Sequence, residues 1–287
     1  MIKKSTLQLL RFPFSFFLLP VYLFALTQLE HINSTRAIIV FMILHLLVYP
    51  ASNGYNSYMD RDETPIGGLQ HPLQPTRQLF YITLLMDLVA IAVSLFISLY
   101  FLFGVMLYIL ASRAYSYRGI RLKKYPVAGF LTVLVFQGAC TFGLVYHGSS
   151  ESLNINFPVS GMLASSFLIG GFYPLTQIYQ HQADKADGVN TLSFLLGYKG
   201  TFIFCAAVYS LAMLFLGYTF LSSMMSLQFF VLIIFFLPIL IYFVWWASRV
   251  WKDVEAADFK HTMRMNVLAS TCTNLGFLTV LIMNHFE

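Results

Sequence analysis

Residues 227–247 read LQFFVLIIFFLPILIYFVWWA, without one charged side chain. A helix rises about 1.5 Å per residue, so about 20 apolar residues cross a hydrocarbon layer. This stretch meets that length. Eight further segments do so approximately, near 12–29, 36–55, 79–99, 101–117, 126–146, 158–178, 201–220 and 263–284. The sequence is narrowest in signal between the third and fourth, where the only expected break falls around Tyr100 to Gly104. Of 287 residues, 58% are hydrophobic and 10% charged, and mean hydropathy is +0.72. Soluble domains carry about 25% charged residues, and disordered chains pair low hydrophobicity with high charge. Both classes are excluded in favour of an all-α integral membrane protein of about nine helices in one bundle. The segments between spans are short, so residues 1–287 form a single transmembrane domain.

The start Met1-Ile2-Lys3-Lys4 ahead of an apolar run resembles a secretory signal, but no small-residue cleavage site follows and spans continue to the C-terminus. The run at 12–29 is therefore read as the first helix. Cys140, Cys205 and Cys272 each lie in apolar stretches without a CxxC neighbour. They read as buried thiols, with neither a disulfide framework nor a zinc site. With nine spans and a cytoplasmic N-terminus, every Lys and Arg except Arg36 falls on the cytoplasmic side. This is a positive-inside distribution. The net charge of +5 then reflects topology and contact with anionic membrane lipids, with no implication of nucleic acid.

Two cytoplasmic loops, near 56–78 and 179–200, are acidic. The first opens Asn53-Gly-Tyr-Asn56-Ser-Tyr-Met-Asp60-Arg61-Asp62-Glu63 and is broken by Pro65 and Gly67-Gly68. Asn56 and Asp60 are four apart and share a face if the helix continues. The second contains Gln180-His181-Gln182-Ala183-Asp184-Lys185-Ala186-Asp187-Gly188. Gln180, Asp184 and Asp187 can line one helical face, with Gly188 as the stop. Two facing carboxylate clusters repel unless cations separate them. Mg2+ suits such a place, because it binds through one or two carboxylates plus substrate phosphates. A third segment, Arg113 to Pro126, is basic; it fits topology, and it also places Arg121 or Lys123 within reach of a diphosphate.

In these three motifs the chain resembles the UbiA-type intramembrane prenyltransferase superfamily. Asn56 to Thr64 stands where that family has NDxxDxxxD. Tyr115 to Lys123 stands for YSxxxxRLK, and Gln180 to Leu192 for DxxxDxxxGxxTL, with Gly197 downstream. Ser57, Thr64 and Gln180 replace acids of the family pattern, and His71-Pro72 replaces Arg-Pro. The resemblance implies Mg2+-dependent transfer of a prenyl group from an isoprenyl diphosphate to a small aromatic or lipid-precursor acceptor, with the active site on the cytoplasmic side. It assigns Asn56, Asp60 and Asp184 to catalysis. Asp62, Glu63, Gln180 and Asp187 join those three as metal ligands. Arg121 and Lys123 would touch the diphosphate, with Arg61 and Lys199 as weaker candidates.

An allylic cation needs a dry, π-rich wall. Tyr115, Tyr173, Tyr179, Phe136 and Phe172 are candidates, although Tyr also anchors helices at membrane interfaces. His181 reads as an acceptor-orienting group or a solvated helix-end residue. Gln137 and Asp87 lie within spans, where polar groups face the bundle interior; Asp87, without a motif around it, is expected to partner another helix. Two other functions share the pattern: a terpene cyclase or diphosphate lyase, and a transporter or non-catalytic lipid-binding protein. The absence of a transit peptide favours a prokaryotic inner membrane.

Overall fold

The computed structural model describes residues 2–286. Among the described residues, nine helices are long and apolar enough to cross a membrane. They are α1 Lys4–Thr27, α2 Ser34–Asp60, α3 Arg77–Ser94, α4 Leu99–Ser116, α5 Pro126–Ser149, α6 Val159–Ala186, α7 Leu192–Ser222, α8 Ser226–Lys252 and α9 Phe259–His285. Helices satisfy their own backbone polar groups, which lipid cannot do. Each apolar segment of the sequence overlaps one of them, with ends that differ by a few residues. The break before α4 lies earlier than the expected Tyr100–Gly104. Ser98 is extended (φ −171°, ψ 163°) and its Oγ accepts the Phe101 N–H at 3.0 Å, capping the helix. Apolar counting is blind to a cap of this kind.

Helix α6 lies against α5 and α7, α8 against α9, and α9 against α1. Phe24 of α1 stacks on Phe277 of α9 at 5.0 Å and meets Phe142 of α5 and Phe220 of α7, so one aromatic cluster joins four helices.

Five spans depart from α-helical geometry, α7 among them at Gly197 (φ 67°, ψ 177°). In α1, Arg11 is left-handed (φ 49°, ψ 47°) and a 3-10 run follows over Phe12–Phe17, which contains Pro13. In α2, Met42–Val48 is π-helical just before Pro50. Proline lacks an N–H and clashes with the carbonyl four residues back, and a widened turn absorbs that clash. In α5, Leu134–Cys140 is π-helical. There Gly138 touches α6 so closely that a Cβ would sit 2.3 Å from the Ser166 Cα. In α6, Pro174 opens a 3-10 run over Tyr173–Gln180, followed by the short helix His181–Ala186. Gly188 (φ 64°) ends it as expected, its N–H reaching the Lys185 carbonyl at 3.2 Å.

Asp87 of α3 does partner another helix. Its Oδ2 accepts from Arg113 Nε of α4 at 3.0 Å, and that guanidinium lies 4.0 Å from the Tyr55 ring of α2. Removing one member of a buried pair strands the other charge, at a cost of about 3–5 kcal/mol. Asp87→Ala is therefore expected to lower unfolding stability in detergent by that amount, and Asp87→Leu combined with Arg113→Met to recover most of it. An equal loss in the single and double variants would show that the stranded charge is not the cause.

Candidate active site

The breaks in α1, α5 and α6 converge with the end of α2 on a cavity of about 210 Å3. Helix α2 contributes Asn53, Asn56 and Asp60, spaced three and four apart on one face, and the following turn contributes Asp62. In a 3-10 helix residues three apart eclipse. The run in α6 thereby sends Tyr173 with Thr176, and Gln177 with Gln180, toward the same space, and Asp184 follows. Ser112 and Tyr115 come from α4, Gln137 from the π-helical part of α5, and Lys123 from the α4–α5 loop.

Three carboxylates share this space with two cations, Lys123 and Arg11. The Asp60 side chain is 3% exposed and accepts from the Lys123 ammonium and from Arg121 Nη2, the latter at 3.5 Å. Arg121 also pairs with the Asp187 carboxylate and donates Nη1 to the Asp187 carbonyl at 3.2 Å. Burial, and then the neighbouring Asp60 charge, push the Asp62 carboxyl up to about 6, against the pull of Lys123 and Arg11.

Arg11 is the residue that sequence reasoning missed. Its left-handed turn swings the guanidinium into the cavity wall, where Nη1 donates to Gly67 O at 3.1 Å and Nη2 to Asn53 O at 3.3 Å. No carboxylate pairs with it among the described residues, and Nε is buried without a partner. Arg121 Nε, Asn53 Nδ2 and one heteroatom of the Gln177 amide are in the same condition. Buried unpaired polar atoms are costly, and here most are donors, suited to an anion. An Arg two residues before a Pro, in a run of Phe, was the only available signal.

Of the residues expected from sequence, Asn56, Asp60, Asp62, Gln180, Asp184, Lys123, Tyr115, Tyr173 and Gln137 line the cavity. Arg121 stands behind Asp60. Asp187, unlike Gln180 and Asp184, stands outside the cavity lining. The short helix ends at Ala186, and Asp187 caps it, turned to Arg121. Glu63 and Arg61 are exposed beyond the end of α2, outside the lining. Lys199 lies 6.0 Å from the Trp251 ring, His181 bonds Ser193 Oγ at 2.8 Å, and Tyr179 packs on Phe259 at 5.2 Å, and none of the three is part of the lining. Among the described residues no three His, Cys, Asp or Glu side chains converge to hold a metal by themselves.

A second cavity of about 170 Å3 adjoins the first, sharing Phe14, Gln137, Tyr173 and Thr176. Its walls are mostly apolar, from Phe17 and Val21 of α1 and Leu168 and Phe172 of α6, with Asn266, Ser270 and Thr273 along one face of α9. The combined space is therefore charged at one end and apolar at the other.

Comparison with known proteins agrees with this architecture. The sequence profile of the UbiA prenyltransferase family matches residues 17–268. A UbiA homolog from Archaeoglobus fulgidus, bound to GPP and Mg2+, superposes with a TM-score of 0.68 at 16% identity, covering 97% of this chain and 100% of the other. The structure of a UbiA homolog from Aeropyrum pernix K1 gives 0.67 at 17% identity, covering 94% and 98%. A structure concerning digeranylgeranylglyceryl phosphate synthase gives 0.63 at 18% identity, covering 97% and 98%. No curated protein sequence matches significantly. At such identities the superpositions establish the shared fold, while the profile spans most of the chain. Together with nine apolar spans, it makes this a multi-pass membrane protein of the UbiA prenyltransferase family.

Proposed function

We propose that this protein transfers a prenyl group from an isoprenyl diphosphate to a small aromatic or lipid-precursor acceptor, with Mg2+ bound between its two acidic segments. The observation that carries this reading is the junction of the two cavities at Phe14, Gln137, Tyr173 and Thr176. A molecule with a charged head and a hydrocarbon tail fits one end to each. The site and the N-terminus lie on the cytoplasmic side of the membrane in this reading, supported by the Lys and Arg distribution.

The donor set fits Mg2+. Asn56, Asp60 and Asp62 on one wall face Gln180 and Asp184 on the other, and all offer oxygen. Too few carboxylates converge to enclose an ion, which matches a metal that keeps waters and shares phosphate oxygens. When bound, Mg2+ neutralises charge that grows on the leaving diphosphate.

The chain's own residues do the remainder. Lys123, now held by Asp60, has a flexible stem that lets its ammonium turn to a diphosphate oxygen once other positive charge meets Asp60. Arg11 presents a guanidinium paired only with carbonyls. Both bind more tightly as the allylic C–O bond breaks and its electron pair passes to the diphosphate, so both lower the barrier. Arg121 holds the carboxylates of Asp60 and Asp187 in place. Tyr115 and Tyr173, hydrogen-bonded to each other, and Phe136 wall the space where the allylic cation forms. Their π faces favour the cation and keep water from it. The acceptor forms its bond to C1, and the proton it loses passes to the released diphosphate.

The direct test is binding of geranyl thiolodiphosphate with and without Mg2+. Wild type is expected to bind only with Mg2+, and Asp60→Asn combined with Asp184→Asn to lose that binding; Mg2+-independent binding would oppose the reading.

Arg11→Met removes charge-assisted hydrogen bonds worth about 1.5–3 kcal/mol in total, so affinity should fall about 10- to 100-fold, measured in the same assay. Unchanged affinity would take Arg11 out of the diphosphate site.

The Asp62 carboxyl, held near 6, is neutral below that pH and must lose its proton to meet a cation. Mg2+-dependent affinity should therefore fall as pH drops from 7 to 5, and fall less in Asp62→Asn. Parallel profiles would show that Asp62 takes no part.

A further inference from the structure

The apolar arm is short. Along α9 it runs from Asn266 to Thr273, about 10 Å at 1.5 Å per residue. An isoprene repeat of four bonds extends about 5 Å at ~1.5 Å per bond. The arm therefore spans about two repeats beyond the junction. Beside it lies a third cavity, about 110 Å3, between α6, α7, α8 and α9. Phe172 lines both spaces. Its ring meets the Tyr209 ring edge-on at 5.5 Å and 86°, closing the gap between the arm and the crevice. The crevice is uncharged, lined by Cys205, Phe243 and Met265. Its outer lip, Ala206, Ser210 and Leu240, is exposed on the lipid-facing surface of the bundle.

We propose that Phe172 determines the length of the isoprenoid tail this site accepts: it is the partition that a chain longer than two repeats must displace to run on into the α7–α8 crevice toward lipid. This rests on the diphosphate reading above. The crevice suits such an occupant because it is continuous with the arm through one side chain and has apolar walls. Of the residues that line the two spaces, Phe172 alone belongs to both. Phe172 touches the tail and not the reacting carbon, so it is a specificity residue, and the chemistry at C1 does not depend on it.

The test measures affinities of geranyl and geranylgeranyl thiolodiphosphate for the full-length protein in lipid nanodiscs with Mg2+. Wild type is expected to bind the ten-carbon analogue at least tenfold more tightly than the twenty-carbon one. Phe172→Ala should bring the two within about twofold, with Phe172→Leu, a milder change, intermediate. Adding Ala206→Phe, which plugs the crevice from the lipid side, should restore the wild-type ratio. An unchanged ratio in both Phe172 variants, with the ten-carbon analogue still bound, would overturn the proposal. So would a gain that survives the plug, since the tail would then leave by another route, such as between α1 and α9. Wild type that binds neither analogue would sink the diphosphate reading itself, and this inference with it.

Discussion

The motif end of this bundle depends on one nearly inaccessible carboxylate. Asp60 ends α2 with its side chain 3% exposed, and an unpaired charge there would be prohibitively costly. The Lys123 ammonium and the Arg121 guanidinium meet it, and Arg121 passes the connection on to Asp187. Arg118 reinforces the arrangement, donating Nε to Met59 O at 2.7 Å. Three segments far apart in sequence are held around the cavity by this charge balance. Apolar packing alone does not fix side-chain positions so closely. In the proposed function the same balance is exchangeable, with cations of a substrate complex replacing Lys123 at Asp60 and Lys123 turning to the substrate's anion. On that proposal the groups that hold the site together are also the groups that recognise its ligand.

A second constraint comes from the backbone. In a lipid-spanning protein, non-helical chain is tolerated only where it is buried in protein or lines a cavity. Here the left-handed turn at Arg11, the π-helical segment around Gln137 and the 3-10 run from Tyr173 all lie at the cavity. Each break re-aims a side chain that a regular helix would send elsewhere. The prolines at 13 and 174 enforce two of them. Pro50 enforces the wide turn of α2, one turn before Asn53 enters the wall.

This explains what the sequence disclosed. Span number followed from apolar length, because lipid imposes one solution per segment. Asn56, Asp60 and Asp184 were legible because they stand in motifs at helix ends. Arg11 was not, since its place depends on a φ of 49° that brings it against Gly67, fifty-six residues on. Asp187 stands outside the lining because its carboxylate is drawn to Arg121, a contact that spacing within one helix does not report. His181 looked like a solvent-side group, yet it is buried, bonded to Ser193 and tilted against Tyr198 at 4.7 Å, because α7 folds back over it. Helical periodicity reports neighbours within an element and is silent on such returns.

The substituted motif positions also acquire a physical meaning. Ser57 is 3% exposed and outside the cavity lining, with its Oγ buried among neighbours, so an acid there would face protein. Thr64 is exposed in the turn after α2. Neither replacement removes a charge from the cavity. Gln180 does line it, and its Nε2 donates to the Pro65 carbonyl at 3.2 Å, bridging α6 to the turn that carries Asp62. An aspartate at that position has a shorter stem and no proton to donate, and it would add a fourth negative charge to a space that already holds three. Asp62 already keeps its proton up to about pH 6 against that crowding. The amide therefore exchanges one prospective metal ligand for a fixed distance between the two acidic walls. On the proposed function, that exchange makes a bound metal more dependent on the substrate's own oxygens and ties ion binding to the arrival of the diphosphate.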